Sequence, residues 1–311
     1  MIRIRCGAPA RRAGAAAALA ASGDEDVPVR EVGSGHTDAR VEIPEDPRRV
    51  VATGWAVTAL ISVEGSGLVG VSSGTQDTGM TPGEPARARD LPQVGADLVI
   101  SAERVAEPEP HLIVSGLPAA VDFDHSALER VAPVAVAAMN TWAEWKDMSE
   151  RVADAAGAGA AHGELVQKYE ARAGEIRDAY ADVLEDTEFA AVDAYGDGAW
   201  TLEHRDAHGT TVPADAGFRF SARAADGAFS ESLPYERLDR LNDYDAVLTR
   251  AEPDGTPTEA ARQVMDQGPW ADLEPVRADR VYAVPQLGAM SYTTGLALFD
   301  ELEDRVLHDL E

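Results

Sequence analysis

The feature that most constrains this chain is residues 162–184, HGELVQKYEARAGEIRDAYADVL, the longest segment whose apolar residues keep to one helical face. Leu165, Tyr169, Ala173, Ile176, Tyr180 and Leu184 recur at three- and four-residue spacing, while Glu170, Arg172, Glu175, Arg177 and Asp182 fall on the other faces. At about 1.5 Å per residue such a helix runs roughly 30 Å, about the diameter of a small domain. Strand-and-turn patterns flank it on both sides. It reads either as a spine between two lobes or as one crossover helix of a single α/β domain.

The flanking patterns repeat the same alternation. Residues 41–43 alternate as a strand, 44–48 break it, and 49–54 form a short buried strand ending at glycine. A helix at 58–63 and a strand at 68–71 complete a β-α-β opening, and the Gly-, Pro- and Thr-rich 75–89 reads as a loop. Then come a short helix at 101–106, a strand at 111–114, a helical turn at 128–131 and a strand at 134–138. A helix at 142–156, stopped by Gly157, precedes the long one. The pattern restarts with strands at 189–195, 246–249 and 280–284, and with helices at 235–241, 257–265 and 295–307. Two α/β halves therefore flank one long helix, with parallel sheets whose carboxyl ends are the expected place for a ligand.

Composition narrows the function. A length of 311 residues and 45% hydrophobic content allow two modest cores. The net charge of -28, with Lys146 and Lys168 the only lysines, argues against nucleic acid, whose phosphates need clustered cations. It equally argues against an anionic membrane surface as partner. Cys6 is the only cysteine, so no disulfide framework or Cys-based metal site is available. Residues 1–22 carry Arg3, Arg5, Arg11 and Arg12 followed by an Ala-rich run too short to span a membrane, and resemble a weak export signal. Leu19-Ala20-Ala21-Ser22 looks like a bacterial lipoprotein cleavage box with serine where the lipid-bearing cysteine belongs, and a disordered tail without targeting role is the alternative. Residues 23–37 read as a flexible tether.

Several phrases together resemble the binding proteins of bacterial iron-siderophore and cobalamin ABC importers, whose class is built on a helical backbone. They are IPEDPRRVVATG at 43–54, LPQVG at 91–95, Glu103-Arg104-Val105, EPHLIV at 109–114, PYERLDRLNDYDAVL at 234–248 and GPWADLEPVRADRVYAVP at 268–285. His111 stands where that family usually has aspartate. The resemblance implies two β/α lobes with mostly parallel sheets, joined by a single long helix, with the ligand cleft between them and only slight hinge closure. The boundaries expected on this reading are 1–37 for signal and tether, 38–141 for the first lobe, 142–187 for a helical linker and 188–311 for the second lobe. It also implies a monomer that captures a ferric siderophore outside the cytoplasmic membrane, with no cofactor of its own. The ligand is then handed to permease subunits by Glu103 and Glu236, the positions matching the family's docking glutamates. Cobalamin, haem or another chelate is the alternative ligand within the same fold.

Residues expected at strand carboxyl ends supply the candidate cleft: Trp55, Ser73, Ser115, Tyr195, Trp200 and Arg250, with Arg219 and Tyr292 on loops that could reach it. Aromatic walls with a few Arg or Tyr donors suit a large chelate with oxygen-rich edges, against core packing or salt bridges as the plainer roles. The strongly negative chain favours neutral or cationic hydroxamate complexes over anionic catecholates, an effect that local arginines can reverse. Gly70-Val71-Ser72-Ser73-Gly74 has the spacing of a hydrolase nucleophile elbow and gives a competing reading, an α/β hydrolase using Ser72, although TQDTGMTPGEP is not the helix such an elbow needs. GSGLVG at 65–70 matches a dinucleotide fingerprint but precedes a strand instead of following one. His204 and His208 could share a helical face for a metal, yet their segment reads as loop, and the expectation is no metal site.

Overall fold

The computed structural model describes residues 28–35, 39–74, 80–194, 198–222 and 227–311. The export-signal reading of residues 1–22, Ser22 included, lies outside these. The tether reading is corrected from residue 29 onward, because β1 (Val29–Gly33) pairs antiparallel with β2 (Arg40–Pro44). Val32 and Ile43 turn inward and join the core, and the charged residues between them hid this alternation.

The first half is a six-stranded sheet in the order β6-β5-β4-β3-β7-β8. Its strands are β3 (Val50–Gly54), β4 (Leu68–Ser73), β5 (Gln93–Ala96), β6 (Val99–Ile100), β7 (Leu112–Pro118) and β8 (Val134–Met139), parallel except for the β5–β6 turn. β3 reads as unbroken apolar sequence because both of its faces are covered: Val50 and Ala52 join one core cluster, while Val51 joins another with Val94 and Ile113. Helices α1 (Trp55–Leu60), α2 (Glu84–Arg89) and α3 (Ala102–Ala106) connect these strands. The structure moves three expectations here. α1 starts directly after β3 and not at residue 58, the loop expected over 75–89 ends in α2, and 128–131 forms turns only.

A helical turn at Trp142–Glu144, then α4 (Trp145–Ala155), α5 (Gly159–Ala179) and α6 (Ala181–Asp186), connect β8 to the second half. Gly157 separates α4 from α5 at φ +73, as a C-terminal glycine should. The long helix forms, beginning earlier than its periodicity suggests and breaking at Tyr180, where φ is -114 and ψ is 28. No Gly or Pro marks that break. It coincides with the Tyr180 hydroxyl donating to Glu303, 3.2 Å away near the C-terminus. The buried face of α5 is Tyr169, Ala173 and Ile176, the face read from the spacing. Tyr169 packs against Trp145 on one side and against Tyr292 and Phe299 on the other, at ring separations of 6.1, 5.2 and 4.8 Å.

The second half is a mixed sheet in the order β12-β10-β9-β13-β14, with β11 on the amino end of β9. It comprises β9 (Glu188–Asp193), β10 (Ala199–Glu203), β11 (Arg219–Phe220), β12 (Ser230–Pro234), β13 (Ala246–Arg250) and β14 (Val281–Val284). β10 runs antiparallel to both of its neighbours, and β9, β13 and β14 are parallel. Helices α7 (Thr211–Asp215), α8 (Glu259–Met265), α9 (Glu274–Arg277) and α10 (Tyr292–Leu302) accompany the sheet. The helix expected at 235–241 is a tighter 3-10 stretch, Tyr235–Asp243, kinked at Arg237. One core cluster runs without interruption from Val32 through α1, α4 and α5 to β13, α10 and Leu307.

Candidate functional site

Side chains from the two sheets meet near strand carboxyl ends, and the candidate groove there has two unlike walls. On the N-terminal side β3 turns abruptly into α1 at Gly54, whose φ of +59 favours glycine and where any Cβ would overlap the Gly116 carbonyl of β7. That turn places Trp55, 8% exposed, against Trp142 and within 6.3 Å of His208. The Gly54 N–H donates to Ser72 Oγ at 3.0 Å, which fixes the turn against β4. Trp142, from the turn after β8, meets Trp55 edge-on at 5.9 Å. Beside them Ser115 of β7 lies 3.5 Å from His125 Nε2. Burial holds His125 below its ordinary pKa despite the nearby Glu129 and Asp124.

The C-terminal wall is charged and buried. Arg250, last residue of β13, donates from Nε to Asp193, last residue of β9, and from a terminal nitrogen to the Leu287 carbonyl. Its other terminal nitrogen lies 3.6 Å from Glu203 and 3.1 Å from His208 Nδ1. The guanidinium lies flat against Gly288 at φ +106, where a side chain would collide with it. Asp193 also accepts from the Ala194 N–H at 2.7 Å, and Glu203 from the Gly209 N–H at 2.6 Å. Because a guanidinium only donates, His208 Nδ1 must accept, which makes the ring neutral with its proton on Nε2. Burial first, and the Arg250 charge second, push the His208 pKa down to about 3. The imidazole then crosses to the opposite wall, stacked on Trp142 at 5.0 Å and 28° and lying 6.3 Å from Trp55.

Of the residues expected in the cleft, Trp55, Ser73 and Arg250 stand at strand carboxyl ends and Ser115 in the middle of β7 beside Thr53, whereas Tyr195 lies outside the described residues. Three stand elsewhere. Trp200 is inside β10, where strand parity turns it to the outer face, among Val192, Leu202 and Leu233, with Nε1 donating to the Pro234 carbonyl. Arg219 pairs with Glu188 at the amino end of β9, the end of the sheet away from the groove, and its guanidinium bonds the Glu185 carbonyl and the Glu188 carboxylate. Tyr292 opens α10 and is enclosed by Trp145, His162 and Tyr169. Ser72 sits within β4 at 1% exposure and not on a strand-to-helix turn, so the elbow geometry required of a nucleophile is missing. His204 and His208 lie in turns, with His204 bonded to Ser221 Oγ at 2.7 Å and not paired with His208 on a helical face. Glu103 and Glu236 are exposed, in the first turn of α3 and of the 3-10 stretch respectively.

Sequence reading passed over Trp142, His208, Asp193 and Glu203 as candidates for this site. Trp142 follows a strand by three residues, the same signal that singled out Trp55, but its apolar spacing assigned it to the helix after it. Asp193 ends a strand and could have been found the same way. Glu203 and His208 depend on β10 running antiparallel, which no local pattern announces.

A family profile described as Periplasmic binding protein matches residues 50–287. Among solved structures, the siderophore periplasmic binding protein from the fuscachelin gene cluster of Thermobifida fusca is 25% identical, over 83% of this chain and 96% of that one, with a TM-score of 0.70. A periplasmic solute binding protein from Mycobacterium smegmatis is 19% identical over 91% and 99%, with a TM-score of 0.69. Staphylococcus aureus SirA, solved with staphyloferrin B, is 18% identical over 88% and 97%, with a TM-score of 0.64. No curated protein matches the chain.

Proposed function

The chain belongs to the periplasmic binding protein family, and on that premise we propose that it captures a ferric siderophore outside the cytoplasmic membrane and delivers it to an ABC importer. The observation that carries this reading is the Trp142–His208 stack, in which side chains from both halves meet at the carboxyl ends of their strands. Indole and imidazole faces from Trp55, Trp142 and His208 offer flat apolar contact to a chelate, while Ser73, Ser115 and His125 offer hydrogen bonds to its oxygen edges. The similarity to the fuscachelin-cluster protein supports the same ligand class. Capture is noncovalent and the chain acts as a solute-binding protein, not as an enzyme. Among the described residues no helix is long and apolar enough to cross a membrane. On the family's precedent the chain works from the extracytoplasmic side, as a monomer docking through Glu103 and Glu236. Lobes at 38–141 and 188–311, bridged by 142–187, remain the domain reading.

Tryptophan fluorescence tests this directly, because Trp55 and Trp142 both line the groove. Sub-micromolar quenching by a ferric siderophore is expected. Silence toward hydroxamate, catecholate, citrate and corrinoid complexes alike would overturn the reading, and a response to a corrinoid or haem alone would transfer it to those chelates.

A further inference from the structure

We propose that the groove selects ferric chelates that carry no net negative charge, the hydroxamate class, and disfavours tris-catecholate and polycarboxylate complexes; this rests on the siderophore reading above. A cation that recognises an anionic chelate must have donors and charge left for it. Arg250, which ends β13, is instead engaged by Asp193, the Leu287 carbonyl, His208 and Glu203. Its single charge faces two carboxylates whose side chains are only 7% and 4% exposed. Each also accepts an N–H of its own, from Ala194 and Gly209, so two acid side chains share one guanidinium on this wall. His208 adds no positive charge, since its Nδ1 accepts from the guanidinium.

On the opposite wall stand the Trp55 and Trp142 rings with Ser115 and His125, and among the described residues there the Arg151 guanidinium is engaged by the Ala138 and Asp147 carbonyls. Three hydroxamate arms, each singly charged, balance Fe(III), whereas three doubly charged catecholate arms leave a trianion. The trianion would have to approach two buried carboxylates inside a chain of net charge -28, so short-range and long-range electrostatics act in one direction.

The test is a fluorescence titration of the whole chain with ferrichrome as the neutral trihydroxamate, ferrioxamine B as the cationic one and ferric enterobactin as the trianionic tris-catecholate. Both hydroxamates should bind at least about tenfold tighter than the trianion. Raising NaCl from about 0.05 to about 0.5 M should narrow that gap by screening the repulsion. Asp193→Asn should tighten the trianion at least about threefold relative to ferrichrome, its folding being checked by circular dichroism. Where that variant does not fold, the salt series on the unaltered chain decides. Trianion binding equal to or tighter than ferrichrome would overturn the selectivity while leaving the siderophore reading standing. Absence of binding by all three would overturn the selectivity, and silence toward ferric citrate as well would overturn the siderophore reading with it.

Discussion

The carboxyl ends of β3 and β8 carry indole rings, while those of β9 and β13 carry Asp193 and Arg250 bonded to each other. The first wall is held by shape: Gly54 and Gly116 let backbone approach backbone, and Trp55 follows from that contact. The second is held by charge, where each member is stable only with the others present. Damage to the apolar wall should therefore be graded, and damage to the charged wall abrupt.

Removing the centre of the charged wall is the strongest way to test this contrast. Arg250→Leu leaves Asp193 and Glu203 buried without their cation and should cost about 3–5 kcal/mol in urea unfolding. A loss below about 1 kcal/mol would mean that solvent screens the cluster and that the walls do not differ in kind. On the other wall, Gly54→Ala forces a side chain at φ +59 against the Gly116 carbonyl, for an expected loss of about 2–3 kcal/mol and an altered Trp55 emission.

Acid separates the walls in another way. His208 titrates near 3 in the folded chain and at its ordinary 6.5 when unfolded, so below pH 6.5 the unfolded state binds a proton that the folded state refuses. Stability should fall as pH drops from about 6.5 toward 3, His208 accounting for about 2 kcal/mol by pH 5. In His208→Gln that share of the slope should vanish between pH 7 and 5; an unchanged slope would show that the imidazole is solvated. Trp142→Ala should weaken chelate binding about tenfold, or roughly 1.4 kcal/mol, with little change in fold, as fluorescence of the remaining tryptophans would report. At the small end, Arg219→Ala should leave chelate affinity unchanged and stability within about 0.5 kcal/mol, because Arg219 is exposed and its partner Glu188 half-buried, at the amino end of β9.

The same division governs what the sequence disclosed. The parallel strands β3, β7, β8, β9 and β13 and the buried face of α5 were legible, since continuous apolar runs and helical spacing are local signals. β10 and β12 were not, because an antiparallel strand such as AWTLE mixes core and groove residues according to a pairing partner that lies far along the chain. Reading Trp200 as a cleft residue was the direct result: placed just behind a strand end it could point anywhere, but in β10 its parity commits it to the outer face while Glu203 takes the inner one. Arg250 was found from its place after a strand, yet its partners were invisible until β9, β10 and β13 were laid side by side.

The unbroken core that runs from Val32 to Leu307 bears on how the molecule unfolds. A seam between independently stable units would need a boundary that few apolar contacts cross, whereas here Tyr169 of α5 is shared between Trp145 on one side and Phe299 on the other. Buried aromatic rings of 150–250 Å² contribute about 4–6 kcal/mol each, enough to make the loss of one half drag the other with it. The chain should melt in a single calorimetric transition, and a polypeptide cut between β8 and β9 should give two fragments that fold only in each other's presence.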